Sequence, residues 1–293
     1  MQHRTFAWSM GALAIAAGIV SIALLIRGSG APHNTSSMVV PVQDTSSWAV
    51  NDAFVKAVPY TVEPKGRVVA GIVPHHTLAA PLIAAFFRGL ETSDPPATVI
   101  IIGPDHENKG TAYVTTANNS WSTPEGVVSA NRDVIQTLVN RGVAEYDNAL
   151  IRREPSVSAV LPYVAHQFPN ASVVPLAIRG DLRSDKLGQL TDALSDLLGP
   201  NDLLIASVDF SHYKDIEGAH TDDERSLSTI STGDADTALD IPVDSPPSIS
   251  LLLRFAKRRG LTYQQLVHTN SAEFLHDSTI TLTTSYLTAY FYR

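Results

Sequence analysis

Residues 67–76 are Arg-Val-Val-Ala-Gly-Ile-Val-Pro-His-His, an apolar run that ends in two histidines. Two other runs have the same form: residues 98–106, Thr-Val-Ile-Ile-Ile-Gly-Pro-Asp-His, and residues 203–212, Leu-Leu-Ile-Ala-Ser-Val-Asp-Phe-Ser-His. Short apolar runs of this kind are typical of buried strands in a parallel sheet. Because ligands bind outside the carboxyl ends of such strands, we expect the three histidine-bearing ends to meet in one crevice.

Strand-like and helical segments alternate along most of the chain, which predicts an α/β fold. We expect a mainly parallel or mixed sheet with helices on both faces. Strands are predicted at Val68–Val73, Thr98–Ile102, Thr111–Thr116, Ser172–Ile178, Leu203–Val208 and within Ser278–Tyr292. Helices are predicted at Leu78–Leu90, Asn131–Asn140, Val157–Phe168, Ser184–Leu198, Asp215–Ser231 and Ser248–Arg259.

Composition limits the classes of function. The 293 residues are 44% hydrophobic and 17% charged, which is enough apolar material for a large core and too much for a disordered chain. The net charge is -8 and no basic cluster stands out in the globular part, so a nucleic-acid groove is not expected. The chain has no cysteine, which excludes disulfides and thiolate ligands. A metal ion would therefore have to be held by imidazole, carboxylate, carbonyl or water.

The N-terminal part of the chain is different in character. Residues 7–26 are apolar or small, with Arg4 before them and Arg27 after, and about 20 such residues can cross a bilayer. This predicts a single-pass transmembrane signal anchor, with a cleavable signal peptide as the alternative. We expect the globular domain on the extracytoplasmic side of the cell membrane. Residues 28–51, rich in Ser, Thr, Pro and Gly, are predicted to be a flexible linker, and residues 55–293 the α/β domain.

Five motifs in the globular part occur in the order found in Memo-like proteins, a family also known as AmmeMemoRadiSam system protein B. They are residues 71–75 (Gly-Ile-Val-Pro-His), 102–106 (Ile-Gly-Pro-Asp-His), 121–126 (Trp-Ser-Thr-Pro-Glu-Gly), 161–163 (Leu-Pro-Tyr) and 207–213 (Ser-Val-Asp-Phe-Ser-His-Tyr). The chain from about residue 67 to its end therefore resembles this family. The resemblance implies a fold similar to class III extradiol dioxygenases, in which two histidines and a carboxylate hold a non-haem iron.

The resemblance also implies roles for four residues. His75 and His106 match the family's two imidazole ligand positions. His212 matches the histidine that faces the metal, where an imidazole could transfer a proton near neutral pH. Asp209 falls on the acidic position of the same motif, where it could orient His212 or accept a water. Asp209 could also simply cap the next turn, because Asp is a preferred N-cap.

The chain departs from the family pattern at three places. Asp244 stands where animal members carry a cysteine, and there it could complete a set of two histidines and one carboxylate. It could equally be part of a helix start, since prolines follow it. Residues 154–158 are Glu-Pro-Ser-Val-Ser, whereas the family often has Glu-His-Ser-Leu/Ile-Glu. His76 and Thr77 replace an alanine and a glycine, and on an extended segment His76 should point away from the metal.

Together these features predict a membrane-anchored, exported Memo-like protein with a metal-binding crevice. The ligands would be His75, His106 and Asp244, with Fe(II) favoured and copper or zinc as alternatives. The chemistry would be that of an extradiol-type oxidoreductase with His212 and Asp209 as catalytic residues and an unidentified small molecule as ligand. Two alternatives stay open: a non-catalytic metal- or ligand-binding module, and a metal-assisted hydrolase.

Overall fold

The computed structural model describes residues 38–42, 50–90 and 94–293. In these residues twelve strands form one mixed sheet. The strands are β1 (Val39–Pro41), β2 (Val68–Val73), β3 (Thr98–Pro104), β4 (Val114–Thr116), β5 (Ser120–Thr123), β6 (Gly126–Ala130), β7 (Glu145–Tyr146), β8 (Ser172–Ile178), β9 (Leu203–Ser207), β10 (His212–Lys214), β11 (Thr262–Asn270) and β12 (Thr283–Tyr292).

The helices connect these strands. They are α1 (Val50–Lys56), α2 (Ala80–Arg88), α3 (Arg132–Asn140), α4 (Asn148–Arg153), α5 (Pro155–Ser158), α6 (Leu161–Gln167), α7 (Ser184–Leu197), α8 (Ile216–Thr232), α9 (Pro246–Arg259) and α10 (Ser271–Leu275). Short 3-10 helices lie at Val58–Tyr60, Thr77–Ala79 and Thr237–Asp240.

Four parallel strands form the centre of the sheet, in the order β8-β3-β9-β2. Side chains of β3 alternate between two apolar layers. Ile100 and Ile102 pack in the layer that contains α3, α7 and α9, and Val99 and Ile101 pack in the layer that contains α1, α2 and α6. Every residue of β3 is buried, as expected for a strand that is covered on both faces.

Antiparallel pairing on both sides of this centre makes the sheet mixed. The strand β12 lies antiparallel to β2 and also pairs with β10 and β11, while β4 lies antiparallel to β8. The short strand β1 pairs with β5 and falls within residues 28–51, the predicted linker.

The predicted fold class was wrong in one respect, because it placed a transmembrane helix before the α/β domain. None of the helices in residues 38–42, 50–90 and 94–293 is both long and apolar enough to cross a membrane. The described residues therefore form a mixed α/β fold. The segment 7–26, to which the helix was assigned, lies outside the described residues.

The predicted helix Val157–Phe168 is two helices, α5 and α6. Pro162 occupies the first turn of α6. Because proline lacks a backbone N–H, it is accepted in a first turn and breaks a helix in its interior. The interruption lets α5 turn against the end of β3, where it contributes to the site described next.

Candidate metal centre

The carboxyl ends of three adjacent parallel strands supply most of the site. His75 follows β2 by two residues, His106 follows β3 by two residues, and Asp209 follows β9 by two residues. Asp244 reaches the same place from the segment just before α9. The structure thus brings together the sequence-predicted site residues in one crevice at the sheet edge, with His212 at the start of β10.

Three side-chain atoms in this crevice form a compact triangle. His75 Nε2 lies 3.3 Å from His106 Nε2 and 3.2 Å from Asp244 Oδ2. His106 Nε2 lies 3.8 Å from Asp244 Oδ2. Two imidazoles and one carboxylate are therefore placed to bind one ion together.

The size of the triangle fits a metal ion. A point equidistant from its three corners is about 2.0 Å from each atom, close to metal–nitrogen bonds of about 2.0–2.1 Å in zinc proteins. The other carboxylate oxygen, Asp244 Oδ1, is buried without a hydrogen-bond partner among the described residues. A carboxylate left in this way needs a compensating charge, which a bound cation would supply.

Glu154 fixes the ring of His106. Its Oε1 lies 2.6 Å from His106 Nδ1, and its Oε2 accepts a hydrogen bond from the His106 backbone N–H at 3.2 Å. The Ser156 hydroxyl donates to the same Oε1 at 2.9 Å. A carboxylate on the far nitrogen turns Nε2 towards the metal position. The departure of residues 154–158 from the family pattern does not indicate this role of Glu154, and the acidic side chain before Pro155 is the one signal in the sequence that could have done so.

Backbone contacts orient Asp244. The Asp209 backbone N–H donates to Asp244 Oδ2 at 3.2 Å, and the Asp244 N–H donates to the Asp209 carbonyl at 3.1 Å. The N-cap residue of α9 is Ser245, which makes no side-chain capping bond. The Asp244 carboxylate is therefore directed towards the two histidines and does not serve as the cap of the helix.

His75 is a buried imidazole whose pKa is raised, although burial by itself lowers the pKa of a histidine. Burial alone would lower the pKa of His75, but the Asp209 and Asp244 carboxylates outweigh it and raise the pKa to about 9. In the absence of a metal, His75 is thus a buried imidazolium beside two carboxylates. A metal ion would take the place of that proton.

Asp209 and His212 lie beside the triangle. Asp209 is 3% exposed, and its Oδ1 accepts a hydrogen bond from the His75 backbone N–H at 3.0 Å. Its Oδ2 lies 3.7 Å from His75 Nε2 and 4.0 Å from His212 Nε2. Asp215, and not Asp209, caps the following helix α8. The side chain of His212 is 27% exposed and is therefore partly open to solvent.

His76 points to a different neighbour from His75. Its Nδ1 lies 2.7 Å from the hydroxyl of Tyr286, a fully buried residue of β12. Burial raises the pKa of the Tyr286 phenol, which keeps its proton at neutral pH. Burial also lowers the pKa of His76, and the nearby His212 and His75 lower it further, against the Asp209 carboxylate that raises it.

Three other histidines form isolated pairs with carboxylates. His166 Nδ1 lies 3.0 Å from Glu125, His220 Nε2 lies 2.8 Å from Glu273, and His268 Nε2 lies 2.9 Å from Asp223. None of these pairs belongs to a group of three metal-ligand side chains in the described part of the chain.

The fold and the donor set define a class of protein: an α/β protein with two histidines and a carboxylate at the carboxyl edge of a mixed sheet. Residues 49–278 match the family model of the Memo-like proteins. The chain therefore belongs to the Memo-like family, as its five motifs indicated.

Named relatives agree with this family. The MEMO1 family protein MK0963 of Methanopyrus kandleri is 29% identical over 175 residues, which cover 58% of this chain and 60% of that protein. The MEMO1 family protein PAE0818 of Pyrobaculum aerophilum is 25% identical over 220 residues, covering 71% of this chain and 78% of that protein. The match to the first relative thus spans less than two thirds of its length.

One solved structure is a distant neighbour, the uncharacterized protein JW3007 from Escherichia coli K12. It is 12% identical, with a TM-score of 0.47, and the match covers 75% of this chain and 99% of that one. A likeness at this level carries no argument about the site.

Proposed function

We propose that this Memo-like protein binds one divalent metal ion through His75, His106 and Asp244, with Fe(II) favoured, and acts as an extradiol-type oxidoreductase on a small molecule. The observation that supports it is the triangle of two imidazole nitrogens and one carboxylate oxygen, with sides of 3.2 to 3.8 Å. Two histidines and one carboxylate with open positions form the donor set of non-haem Fe(II) oxygenases, and a bound iron of this kind supplies the chemistry that activates oxygen.

The open side of the site gives a ligand access to the metal position. The side chain of His106 is 36% exposed, whereas those of His75 and Asp244 are 5% and 10% exposed. The exposed part of the His106 side chain supports access of solvent and of a ligand to the metal position. A bidentate ligand such as a catechol would need that arrangement.

His212 is the proposed acid–base group. Its Nε2 lies 4.0 Å from Asp209 Oδ2, so the two side chains stand together beside the metal position. His212 would accept a proton from a ligand hydroxyl on binding and return it later. Asp209 acts on His212 and on the backbone of His75, so it is a positioning residue.

Metal content tests the binding half of the proposal. The full chain, purified without oxygen, should contain about one equivalent of iron, and zinc or copper should compete for the same position. His75→Ala and His106→Ala should each lose the ion, because two donors hold it too weakly. His220→Ala is the control, since it removes a histidine–carboxylate pair on the surface. Full metal content in both site variants would show that the ion lies elsewhere.

Oxygen consumption tests the chemical half. A catechol added to the iron-loaded chain should consume oxygen, and His212→Ala should retain iron while oxygen uptake falls about 100-fold. Metal-assisted hydrolysis is the second candidate, favoured by the buried Asp209 carboxylate beside the metal position, which could hold a water. Ester turnover without oxygen uptake would support it, and loaded protein with neither activity would indicate a binding module.

A further inference from the structure

Tyr213 has a backbone conformation that is unusual for its residue type. Its φ is 56°, in the left-handed region that residues with a side chain rarely adopt. Among the described residues it is the one non-glycine residue within a strand that has a positive φ, since Asn108 lies in a loop and His276 is the C-cap residue of α10. A conformation of this kind destabilises the fold unless the surrounding structure holds it in place.

Pairing with β12 holds Tyr213 in this conformation. Between His212 and Lys214 the register of β10 against β12 shifts, so Tyr213 is the extra residue of a β-bulge. Before the bulge, the Ser285 backbone N–H donates to the Ser211 carbonyl at 2.9 Å. After it, the Lys214 carbonyl accepts a hydrogen bond of 2.9 Å from a threonine hydroxyl of β12. The strand is thus fixed on both sides of the strained residue.

The bulge places two aromatic rings side by side. In a regular strand, consecutive side chains point to opposite faces of the sheet. The ring centroids of His212 and Tyr213 are nevertheless only 5.6 Å apart, with an angle of 45° between the planes. Tyr213 is 79% exposed, so most of its ring surface is open to solvent. The strained backbone therefore presents an open aromatic ring next to His212.

His212 connects this ring to the proposed metal site. A ring nitrogen of His212 and carboxylate oxygens of Asp209 and Asp244 lie within 4.8 Å of one another. Asp244 is one of the three proposed metal ligands, whereas Tyr213 supplies none. The Tyr213 ring is thus placed to contact a part of the ligand other than the atoms that chelate the metal.

We propose that Tyr213 binds a planar apolar group of the ligand by stacking, beside the chelated metal. The inference rests on the proposed metal site and adds a class of ligand: chelating molecules that carry a planar apolar substituent. Aromatic rings stack in offset arrangements with centroids about 4.5–7 Å apart, and the apolar surface that they bury adds to the attraction. Retention of a strained residue beside a site is typical of a role in binding.

Two probes with the same chelating group test the proposal. Acetohydroxamate and benzohydroxamate both chelate ferric iron through two oxygens, and a methyl group in the first replaces the phenyl ring of the second. The full chain is loaded with ferric iron, and the visible absorption of the iron–hydroxamate complex is titrated with each probe. The ratio of the two dissociation constants measures the preference for the ring.

This preference should be about tenfold smaller in Tyr213→Ala than in the parent, because the stacking surface is removed. Tyr213→Phe should keep the parental preference, since stacking needs the ring and not the hydroxyl. Tyr146→Ala is the control and should also keep it. Tyr146 is another exposed tyrosine, but it lies on β7, which joins the sheet through β4 and β8 on the side away from β12.

Iron content, measured in every variant, distinguishes failure of this inference from failure of the metal site. Normal iron content with a parental preference in Tyr213→Ala overturns the inference and leaves the metal site intact. A preference that is lost in Tyr213→Phe as well would assign the contact to the hydroxyl and overturn stacking. A parent without iron overturns both.

Urea unfolding of the metal-free full chain gives a readout that needs no ligand. Tyr213→Gly should unfold at a higher midpoint than Tyr213→Ala, because glycine adopts a φ of 56° without the clash of a Cβ. Tyr213→Ala should unfold close to the parent, since an exposed ring adds little to the core. A clearly lower midpoint in Tyr213→Ala would mean that the ring serves the fold, which would overturn the proposed binding role.

Discussion

At the scale of single residues, Glu154 shows that a side chain that does not itself bind the metal can orient one that does. It accepts from His106 at the ring and at the backbone, and it also accepts from Ser156. Burial would raise the pKa of Glu154, but the hydrogen bond and the charge of His106 lower it below its usual value. Glu154 therefore stays a carboxylate and keeps the ring of His106 turned towards the metal position.

Replacing this carboxylate should weaken the metal site without removing a ligand. Glu154→Gln should lower metal affinity about 10- to 100-fold, the usual cost of losing a carboxylate behind a metal-bound histidine. Glu125→Gln is the matched control, because Glu125 Oε2 makes a similar bond of 3.0 Å to His166. Competition with a chelator measures both affinities. Equal affinities in the two variants would mean that Glu154 does not orient a ligand.

The raised pKa of His75 predicts that metal affinity depends on pH. The ion needs a neutral imidazole, so below the pKa of about 9 it must displace a proton. Apparent affinity should rise about tenfold per pH unit from neutral pH and level off near pH 9. Asp209→Asn removes one of the two main charges that raise the pKa, so the plateau should begin at lower pH. An affinity that does not change over this range would contradict the proton competition.

The same pKa shift affects the stability of the metal-free fold. Because the folded pKa of about 9 exceeds the ordinary 6.5, the fold gains stability that is fully present below pH 6.5. That contribution is lost as the pH rises towards 9. Urea unfolding of the metal-free chain should therefore give lower midpoints at the alkaline end, and His75→Ala should remove the difference.

At the scale of elements, the contact between β3 and α5 determines where Glu154 lies. A Cβ on Gly103 would come within 2.5 Å of the Ser156 side chain and 3.0 Å of the Ser207 carbonyl. Only glycine lets α5 approach this closely. Since Glu154 is the N-cap residue of α5, the approach brings its carboxylate to His106.

Gly103→Ala should therefore impair the site from a distance. Overpacking should cost about 1–3 kcal/mol of stability, and the displaced α5 should lower metal affinity about tenfold through Glu154. Gly188→Ala is the control, because its Cβ would meet nothing within 4 Å in the middle of α7 and should stabilise that helix slightly. Chemical unfolding and chelator competition measure the two effects. A destabilised Gly103→Ala variant with parental metal affinity would show that the position of α5 does not affect metal binding.

The central strands were predictable because their signal is local. The predicted strands Val68–Val73 and Ser172–Ile178 match β2 and β8 in the structure, since each is an unbroken apolar run. Their neighbours were not predictable, because pairing joins residues far apart in the chain. Nothing local in Ser278–Tyr292 indicates that β12 lies antiparallel between β2 and its other partners.

The site residues also differ in whether a local sequence pattern predicts their position. His75 and His106 follow apolar runs, so strand ends and family motifs were enough to place them together. Asp244 depended on a loose alignment with a cysteine position, and the structure brings it to the two histidines. The contact of Glu154 with His106 depends on the close approach at Gly103, which no local pattern reveals. Hydrogen bonds that orient ligands come from packing, and packing is non-local.

At the scale of the whole molecule, the metal position joins segments that are distant in the sequence. His75 follows β2, His106 follows β3, and Asp244 precedes α9, a helix that packs in the layer with α3 and α7. An ion held by all three would link the centre of the sheet to one of its covering layers. Because the unfolded chain cannot hold the three donors together, binding should favour the folded state.

The size of that stabilisation follows from the affinity. At 100 times the dissociation constant, an ion that binds the folded state alone stabilises it by about 2.7 kcal/mol, which for a domain of this size raises Tm by about 5–10 °C. Calorimetry of the parent with and without metal should show this shift and its loss on chelation. His75→Ala should show no shift, whereas His220→Ala should behave as the parent, because its pair with Glu273 lies outside the triangle. An equal rise in Tm in His75→Ala would mean that the stabilising ion binds at a different site and that the crevice does not contribute to this stabilisation.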